Sequence, residues 1–240
     1  MPLPVFEKEI RVQYSYCDSF NRMTLSYLLK EAQEISMQHC DQLGLSNAFL
    51  ASLGKVFLLA KLHVTVHDMP KGGQIVRIAT IPYLPVRLQY PRFTRVYDRE
   101  GTLLAEVDSR WMLVDIESRR IVRRPPEDLP LPFPQIEGLG DFKFPKLADE
   151  DFRPAGRIRV QYSMADTNRH LNNAVYADLA CNQAEEELMA GKTIKSLSLF
   201  YHHEARFGEE MELSSYREGK TFYLRGQLPA CLCFESELVL

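Results

Sequence analysis

Residues 10–15 read IRVQYS, and the same run recurs unchanged at residues 158–163. An aspartate follows each copy at the same distance, Asp18 in the first and Asp166 in the second. A long-range internal repeat of this kind indicates that one structural unit occurs twice in the chain. The repeat therefore predicts that the two halves share one topology.

Each copy of the repeat continues into a helical pattern. Mostly apolar side chains recur at spacings of three and four, which places them on one helix face. These residues are Leu28, Ala32, Ile35, His39 and Leu43 in the first half and Ala174, Ala177, Cys181, Ala184 and Leu188 in the second. Gly44 and Gly191 follow the two patterns, as is typical of helix C-termini. The spacing predicts one long helix in each half.

Alternating, β-rich sequence follows both helices. It covers residues 56–66, 75–81, 94–97 and 103–114 in the first half and 194–201, 211–216, 221–225 and 231–239 in the second. An apolar helix stripe must be covered, and a strongly twisted antiparallel sheet covers it well. We therefore predict an α+β double hotdog, in which each of two tandem repeats wraps an antiparallel β-sheet around a central helix.

Prolines crowd the stretch between the two halves, and proline continues neither a helix nor a central strand. They are Pro125, Pro126, Pro130, Pro132 and Pro134. We predict an N-terminal hotdog over residues 1–124, a Pro-rich linker over 125–154 and a C-terminal hotdog over 155–240. The alternative is one mixed α+β domain with a coincidental repeat, which the matching helix, sheet and glycine positions disfavour.

Composition limits the functional classes. The chain has 240 residues, 29 basic and 32 acidic, and a net charge of -3. This balance provides no basic field for nucleic acid, and no segment approaches the roughly 20 apolar residues of a membrane span. The start, MPLPVFEKEI, lacks signal-peptide features, and five cysteines without zinc-type spacing suit a reducing compartment. We expect a soluble cytoplasmic protein that binds neither nucleic acid nor membrane.

The two copies differ in the polar residues that follow the shared aspartate. The aligned pairs are Asn168 with Phe20, His170 with Arg22, and Glu204 with Met69. The second half thus carries an amide, an imidazole and a carboxylate where the first half carries aromatic, cationic and apolar groups. We predict one polar active site in the second half and an apolar pocket contributed by the first.

These polar side chains suit carbonyl chemistry. Asn168 and His170 precede a helix whose first N–H groups lack intrahelical partners, and that end of a helix stabilises a developing oxyanion. His170 and Glu204 are residue types that transfer protons near neutral pH when their surroundings tune them.

Structural roles compete with these chemical ones. Asp166, Asn172 and Asn173 precede a helix and suit helix capping equally well. The His-His-Glu run at 202–204 resembles a metal site, but strand alternation would turn His203 away from its two neighbours. We therefore expect neither a metal nor another cofactor.

Longer segments of the chain resemble one family. Residues 160–179 read VQYSMADTNRHLNNAVYADL, and residues 201–213 read YHHEARFGEEMEL. This combination of Asp-x-Asn-x-His, Asn-Asn-x-x-Tyr and a later glutamate resembles the acyl-acyl carrier protein thioesterases of plants and bacteria. In the first half, KVFLLAKLHVTVHDMPKGGQIVRIATIP and SRWMLVDIESRRIVRRP are similar to the family's first-domain strands. The resemblance covers nearly the whole chain.

The resemblance implies hydrolysis of the thioester between a fatty acyl chain and the phosphopantetheine arm of acyl carrier protein. The family's catalytic residues fall on Asp166, Asn168, His170 and Glu204. Which of these carboxylates or the imidazole takes the first proton stays open. Many plant members carry a cysteine directly after the glutamate, whereas this chain has Ala205, so a thiol nucleophile is excluded at that position.

The resemblance further implies that Asn172, Asn173 and Tyr176 bind substrate, with the acyl tail against the first-half helix at residues 23–43. The basic run at residues 119–124 is a candidate docking surface for the acidic carrier protein. Two alternatives stay open, an acyl-CoA thioesterase and a non-catalytic fatty-acyl-binding protein. A homodimer is also compatible with the sequence.

Overall fold

The computed structural model describes residues 5–127, 129 and 131–240. Residues 1–4 of the predicted N-terminal domain, and residues 128 and 130 of the predicted linker, lie outside the described residues. Pro130 is one of these.

The described residues form two similar series of elements. The first series is β1 (Phe6–Arg11), α1 (Leu25–Gln42), α2 (Asn47–Ser52), β2 (Lys55–Val66), β3 (Ile75–Pro82), β4 (Tyr90–Tyr97) and β5 (Leu103–Asp115). The second is β6 (Arg153–Arg159), α3 (Val175–Asn182), α4 (Glu185–Met189), β7 (Ser196–Tyr201), β8 (Glu210–Glu218), β9 (Thr221–Leu228) and β10 (Cys231–Val239).

These strands form one antiparallel sheet in the order β1-β3-β4-β5-β2-β7-β10-β9-β8-β6. The first-half order β1-β3-β4-β5-β2 reappears as β6-β8-β9-β10-β7, so the two halves have the same topology. They join where β2 pairs with β7, in a register that sets Lys61 opposite Phe200 and Thr65 opposite Ser196. The predicted double hotdog is confirmed.

The helix predicted in the first half is present as α1. Thr24 caps it, since the Thr24 hydroxyl accepts the Tyr27 N–H at 3.4 Å. After the helix, Gly44 adopts a φ of 75°, the left-handed conformation that glycine allows without steric cost. The face that contains Leu28 and Ile35 is fully buried against the sheet.

The prediction of a single long helix in the second half is wrong. The chain divides it into α3 and α4 at Gln183 and Ala184, where Ala184 leaves the helical conformation with φ -116° and ψ 25°. The three carboxylates that follow, residues 185–187, occupy the first turn of α4. The positive end of the helix dipole stabilises acidic groups there, which the middle of one long helix would not do.

Three elements lie outside the predicted pattern, namely the short helix α2 and the edge strands β1 and β6. The helix α2 begins after Ser46, whose hydroxyl accepts the Phe49 N–H at 3.1 Å. Strand β6 contains Pro154 and Gly156, residues that are typical of loops, so the sequence did not predict a strand there. Both residues are tolerated because β6 lies at the edge of the sheet.

The helices α1 and α3 pack on the inner face of the sheet, in one apolar core that continues across both halves. The small residues Ala177 and Ala180 of α3 are buried and allow close packing, and Phe234 of β10 is fully buried beneath this helix. Within the described residues, none of the helices combines the length and the apolar character that crossing a membrane requires.

The Pro-rich segment packs against the outer face of the sheet. Lys61 of β2 donates to the Asp141 carboxylate and to the Phe142 carbonyl oxygen, the latter at 2.7 Å. Phe142 and Phe144 both pack against Phe200 of β7. The segment therefore covers the junction between the two halves.

Gly226 of β9 tests the packing of this core. A Cβ at Gly226 would lie 2.1 Å from Cε1 of Phe234, a rigid ring that is fully buried. We expect Gly226→Ala to lower the free energy of unfolding by about 1–3 kcal/mol through overpacking, measured by urea denaturation. Gly140→Ala is the control, because nothing lies within 4 Å of its added Cβ. Equal stability of the two variants would contradict the packing described.

Candidate active site

A cavity of about 650 Å³ lies between the two halves. Its volume is within the range typical of small-molecule sites. Apolar side chains of α1, α2, β2 and β5 form most of its first-half wall, among them Met37, Leu50, Phe57, Leu59 and Trp111. The second half contributes a polar end with Asp166, Asn168, His170 and Glu204. The structure thus brings the four predicted catalytic residues together.

Asp166 builds the turn that presents two of these side chains. Its Oδ1 accepts the N–H of Asn168 at 2.8 Å and the N–H of His170 at 3.1 Å. Within the turn Arg169 adopts a φ of 63°, a conformation that costs energy for a residue with a side chain. The carboxylate of Asp166 compensates by satisfying two backbone donors.

The first half contains the same turn without the same chemistry. Oδ1 of Asp18 accepts the N–H groups of Phe20 and Arg22, both at 2.9 Å, and Asn21 adopts a φ of 60°. The aspartate thus makes the same bonds in a half that has neither the amide nor the imidazole. This comparison favours a positioning role for Asp166.

His170 and Glu204 face each other across the cavity end. The Nε2 atom of His170 lies 3.6 Å from Oε2 of Glu204. Backbone hydrogen bonds fix the two segments side by side, from Leu171 N–H to the Ala205 carbonyl and from Phe207 N–H to the Arg169 carbonyl, both at 2.8 Å. Side-chain exposures of 22% and 34% leave both groups accessible from the cavity. The arrangement can bind and deprotonate a small polar molecule.

Arg119 of the first half also reaches this carboxylate. Its Nη1 lies 3.5 Å from Oε2 of Glu204, and the residue sits in the turn after β5 with a φ of 57°. From the sequence, Arg119 was identified only as part of the basic run at residues 119–124. The contact with Glu204 was missed because it joins residues from different halves, and no spacing rule predicts such a pair.

A side-chain hydrogen bond shapes the turn before α3. Oδ1 of Asn172 accepts the Ala174 N–H at 2.9 Å, and Asn172 is not among the cavity-lining residues. This bond holds the turn before α3, and the substrate-binding role of Asn172 stays a prediction. The same bond occupies the Ala174 amide, which is then unavailable to an oxyanion. Asn173 and Tyr176 do line the cavity.

Tyr176 forms an aromatic wall beneath the polar end. Its ring packs edge-on against Tyr201 and Phe234, with centroid separations of 5.3 and 4.7 Å. Burial raises the pKa of the Tyr176 phenol far above its ordinary value, so the hydroxyl stays protonated at physiological pH. Ala205 is completely buried behind this wall.

His202 and His203 do not follow the strand alternation that the sequence predicted. Strand β7 ends at Tyr201, so strand alternation does not extend to these residues, and His202, His203 and Glu204 all line the cavity. Nε2 of His202 lies 3.0 Å from Oε2 of Glu235. Across the described part of the chain, no three His, Cys, Asp or Glu side chains are arranged to bind a metal ion.

Two family models match this chain. The model of the acyl-ACP thioesterase N-terminal domain (ACP, acyl carrier protein) matches residues 4–130, and the model of the C-terminal domain matches residues 149–226.

Curated relatives agree with these matches. The chain is 22% identical over 218 residues to the chloroplastic oleoyl-acyl carrier protein thioesterase 1 of Arabidopsis thaliana, covering 83% of this chain and 60% of that protein. It is 24% identical over 229 residues to the chloroplastic acyl-[acyl-carrier-protein] hydrolase FATB2 of Cuphea viscosissima, covering 88% of this chain and 54% of that protein. The chain therefore spans little more than half the length of these relatives.

Solved structures share the fold over almost the whole chain. An acyl-ACP thioesterase from Bacteroides thetaiotaomicron superposes with a TM-score of 0.89 at 18% identity, covering 98% of this chain and 97% of that chain. The 12:0-ACP thioesterase from Umbellularia californica gives a TM-score of 0.86 at 17% identity, covering 100% and 98%. At these identities the likeness establishes the fold alone.

The paired turns provide a test of the positioning role. Each aspartate satisfies two backbone donors, so Asp18→Ala and Asp166→Ala should both lower the free energy of unfolding, by about 1–3 kcal/mol. The loss should be larger for Asp18→Ala, because Asp18 also pairs with Nε of Arg22 at 2.8 Å. Urea denaturation measures both values. Unchanged stability of Asp166→Ala would show that its carboxylate does not hold the turn.

Proposed function

Because the chain belongs to the acyl-ACP thioesterase family, we propose that it hydrolyses fatty acyl thioesters of acyl carrier protein to a free fatty acid and the carrier protein's thiol. The observation that carries this proposal is the His170–Glu204 pair at the polar end of a largely apolar cavity. An apolar cavity alone would suit a fatty-acyl-binding protein. The acid–base pair beside it favours catalysis.

In the proposed reaction, Glu204 acts as the general base. Its carboxylate takes a proton from a water molecule, whose oxygen attacks the thioester carbonyl carbon and forms a tetrahedral oxyanion. The intermediate collapses when its carbon–sulfur bond breaks, and the departing thiolate takes a proton. A thioester is electrophilic enough for direct attack by activated water, and Ala205 offers no nucleophile at the adjacent position.

The neighbouring side chains have supporting roles in this proposal. His170, 3.6 Å from Glu204, protonates the departing thiolate. The Asn168 amide orients the water or donates to the oxyanion, since donors aimed at the developing charge lower the barrier. Asp166 positions both residues through their backbone N–H groups and takes no part in proton transfer.

The first half binds the acyl tail in this proposal. The apolar wall is contributed by the C-terminal part of α1 and by α2, β2 and β5. Such a wall discriminates between chains by about 1–3 kcal/mol per methylene. Chain-length preference should therefore be graded.

Carrier-protein docking is proposed at the cavity entrance. Arg120, Arg123 and Arg124 are exposed on the segment that follows β5. The same segment includes Ile121, which lines the cavity. The acidic carrier protein is attracted to such a basic surface, and docking there sets its acyl arm next to the cavity.

Two further expectations concern the cellular setting. We propose a reducing compartment such as the cytoplasm, because all five cysteines are free thiols. The homodimer stays a prediction, which analytical ultracentrifugation would test.

Glu204→Gln and His170→Ala should each reduce thiol release from acyl-ACP by about 10²- to 10⁴-fold, the usual contribution of general acid–base catalysis. Thiol release is followed with a chromogenic disulfide reagent under saturating substrate. Glu212→Gln is the matched control, since Glu212 is exposed on β8 and outside the cavity. Full turnover in both active-site variants would refute the assignment.

Replacing Arg120, Arg123 and Arg124 together by glutamine should raise KM for acyl-ACP roughly ten-fold at low salt and leave kcat unchanged, because rim charges act mainly on association. The difference should shrink as added salt screens the charges. Arg99→Gln is the control, since Arg99 is exposed in the hairpin at the opposite end of β5. Equal or better hydrolysis of acyl-CoA, with no effect of the triple substitution, would indicate the acyl-CoA alternative.

A further inference from the structure

A buried cation lies in the first-half wall of the cavity. Arg92 is on the inner face of β4, and only 5% of its surface is exposed. The residue nevertheless lines the cavity, next to Tyr90 and Cys40. A charged group in a mostly apolar wall needs a physical explanation, because burying a charge is costly unless it is paired.

The partners of Arg92 are all neutral. Nη1 lies 3.3 Å from the Thr80 hydroxyl and 3.3 Å from Nδ1 of His39, and Nη2 lies 3.2 Å from the Cys40 sulfur. Burial, with the nearby Arg92 charge, lowers the pKa of His39 to about 4, so the imidazole is uncharged at neutral pH. Burial raises the pKa of the Cys40 thiol, which therefore stays protonated.

No carboxylate in the described residues forms an ion pair with Arg92, and burial lowers the pKa of its guanidinium. A guanidinium has five N–H donors, and a thiol is a weak acceptor. The protein thus surrounds this cation with fewer and weaker acceptors than it can use. Oxygen acceptors supplied from the cavity would complete the set.

Arg92 is remote from the reacting atoms. Strands β5 and β2 separate β4 from β7 in the sheet, and adjacent strands are roughly 4.8 Å apart, which places β4 roughly 14 Å from the strand that leads to Glu204. The same cavity is lined by Arg92 and by Glu204. A ligand whose thioester meets Glu204 therefore presents the distal part of its acyl chain to Arg92.

We propose that the cavity selects acyl chains that carry an oxygen acceptor in their distal part, a hydroxyl, oxo or carboxylate group, to which Arg92 donates hydrogen bonds. A plain hydrocarbon tail would displace water from the guanidinium and return no acceptor, whereas an oxygen group replaces that water. The inference rests on the proposed function only for the identity of the reacting thioester end. The binding preference itself is independent of hydrolysis.

A purely structural role for Arg92 gives a different expectation. The residue ties β4 to Thr80 of β3 and to His39 and Cys40 of α1. If that were its whole role, its replacement would weaken the binding of all acyl chains equally. The ratio of affinities for oxygenated and plain chains separates the two cases.

The experiment measures the affinity of acyl pantetheine amides, which cannot be cleaved as thioesters, by isothermal titration calorimetry. The probes share one chain length and carry a plain tail or a distal hydroxyl, oxo or carboxylate group. For the unmodified protein, we expect at least one oxygenated probe to bind about ten-fold or more tightly than the plain one. The ranking of the three identifies the oxygen group preferred.

In Arg92→Met the ratio of affinities for oxygenated and plain probes should fall to about one, because methionine retains an apolar stem but has no hydrogen-bond donors. Arg92→Lys should retain part of the preference, and it replaces the methionine variant if that variant fails to fold. Arg95→Met is the matched control, since it makes the same substitution on β4 at a residue that pairs with Glu106 outside the cavity, and it should leave the ratio unchanged. Equal affinities in the unmodified protein, or a ratio that survives Arg92→Met, would overturn the inference.

The same probes keep the two proposals distinguishable. Selective amide binding without thiol release from any acyl thioester would preserve the role of Arg92 and reject the hydrolase. Thiol release that depends on Glu204, with no preference among the amides, would preserve the hydrolase and reject the role of Arg92.

Discussion

The pairing of β2 with β7 is the constraint on which the rest of the molecule depends. The two strands pair only from Lys61 opposite Phe200 to Thr65 opposite Ser196. Beyond that point β2 continues back to Lys55 paired with β5 only, with an irregularity in that register between Leu59 and Lys61. Strand β7 ends at Tyr201. The sheet therefore opens where the two halves meet, and the opening is the cavity.

This divergence explains why neither half could form the site alone. Phe57 and Leu59 lie on the part of β2 that pairs with β5 but not with β7, and they form part of the apolar wall. The chain after Tyr201 carries Glu204 at the polar end of the cavity. The junction is stabilised from outside by the 141–144 segment. Lys61 is only 8% exposed, and its hydrogen bond to the Asp141 carboxylate lowers the pKa of that group. The pair therefore ties the Pro-rich segment to the central strand.

The sequence predicted the features that depend on local periodicity and on the internal repeat. It did not predict the features that depend on contacts between residues far apart in the chain. The shared topology followed from the repeat, and α1 followed from the apolar spacing. The break before residues 185–187 depends on charge at a helix start, which apolar spacing does not record. The bond from the Ala174 N–H to Asn172 shapes the turn before α3, and apolar spacing does not record it. Arg119 and Arg92 gain their significance from partners in other elements, so periodicity carried no signal for either residue.

The two copies of the turn show how one framework came to hold different functions. In the second half the turn presents His170 to Glu204. In the first half the guanidinium of Arg22 takes the corresponding position and donates to the Gly191 and Lys192 carbonyl oxygens at 3.2 and 2.9 Å. Arg22 thereby ties the first half to the loop before β7. The turn in the first half thus holds the two halves together. Because it has this structural role, and because the first half has no acid–base pair, the proposed chemistry is confined to the second half.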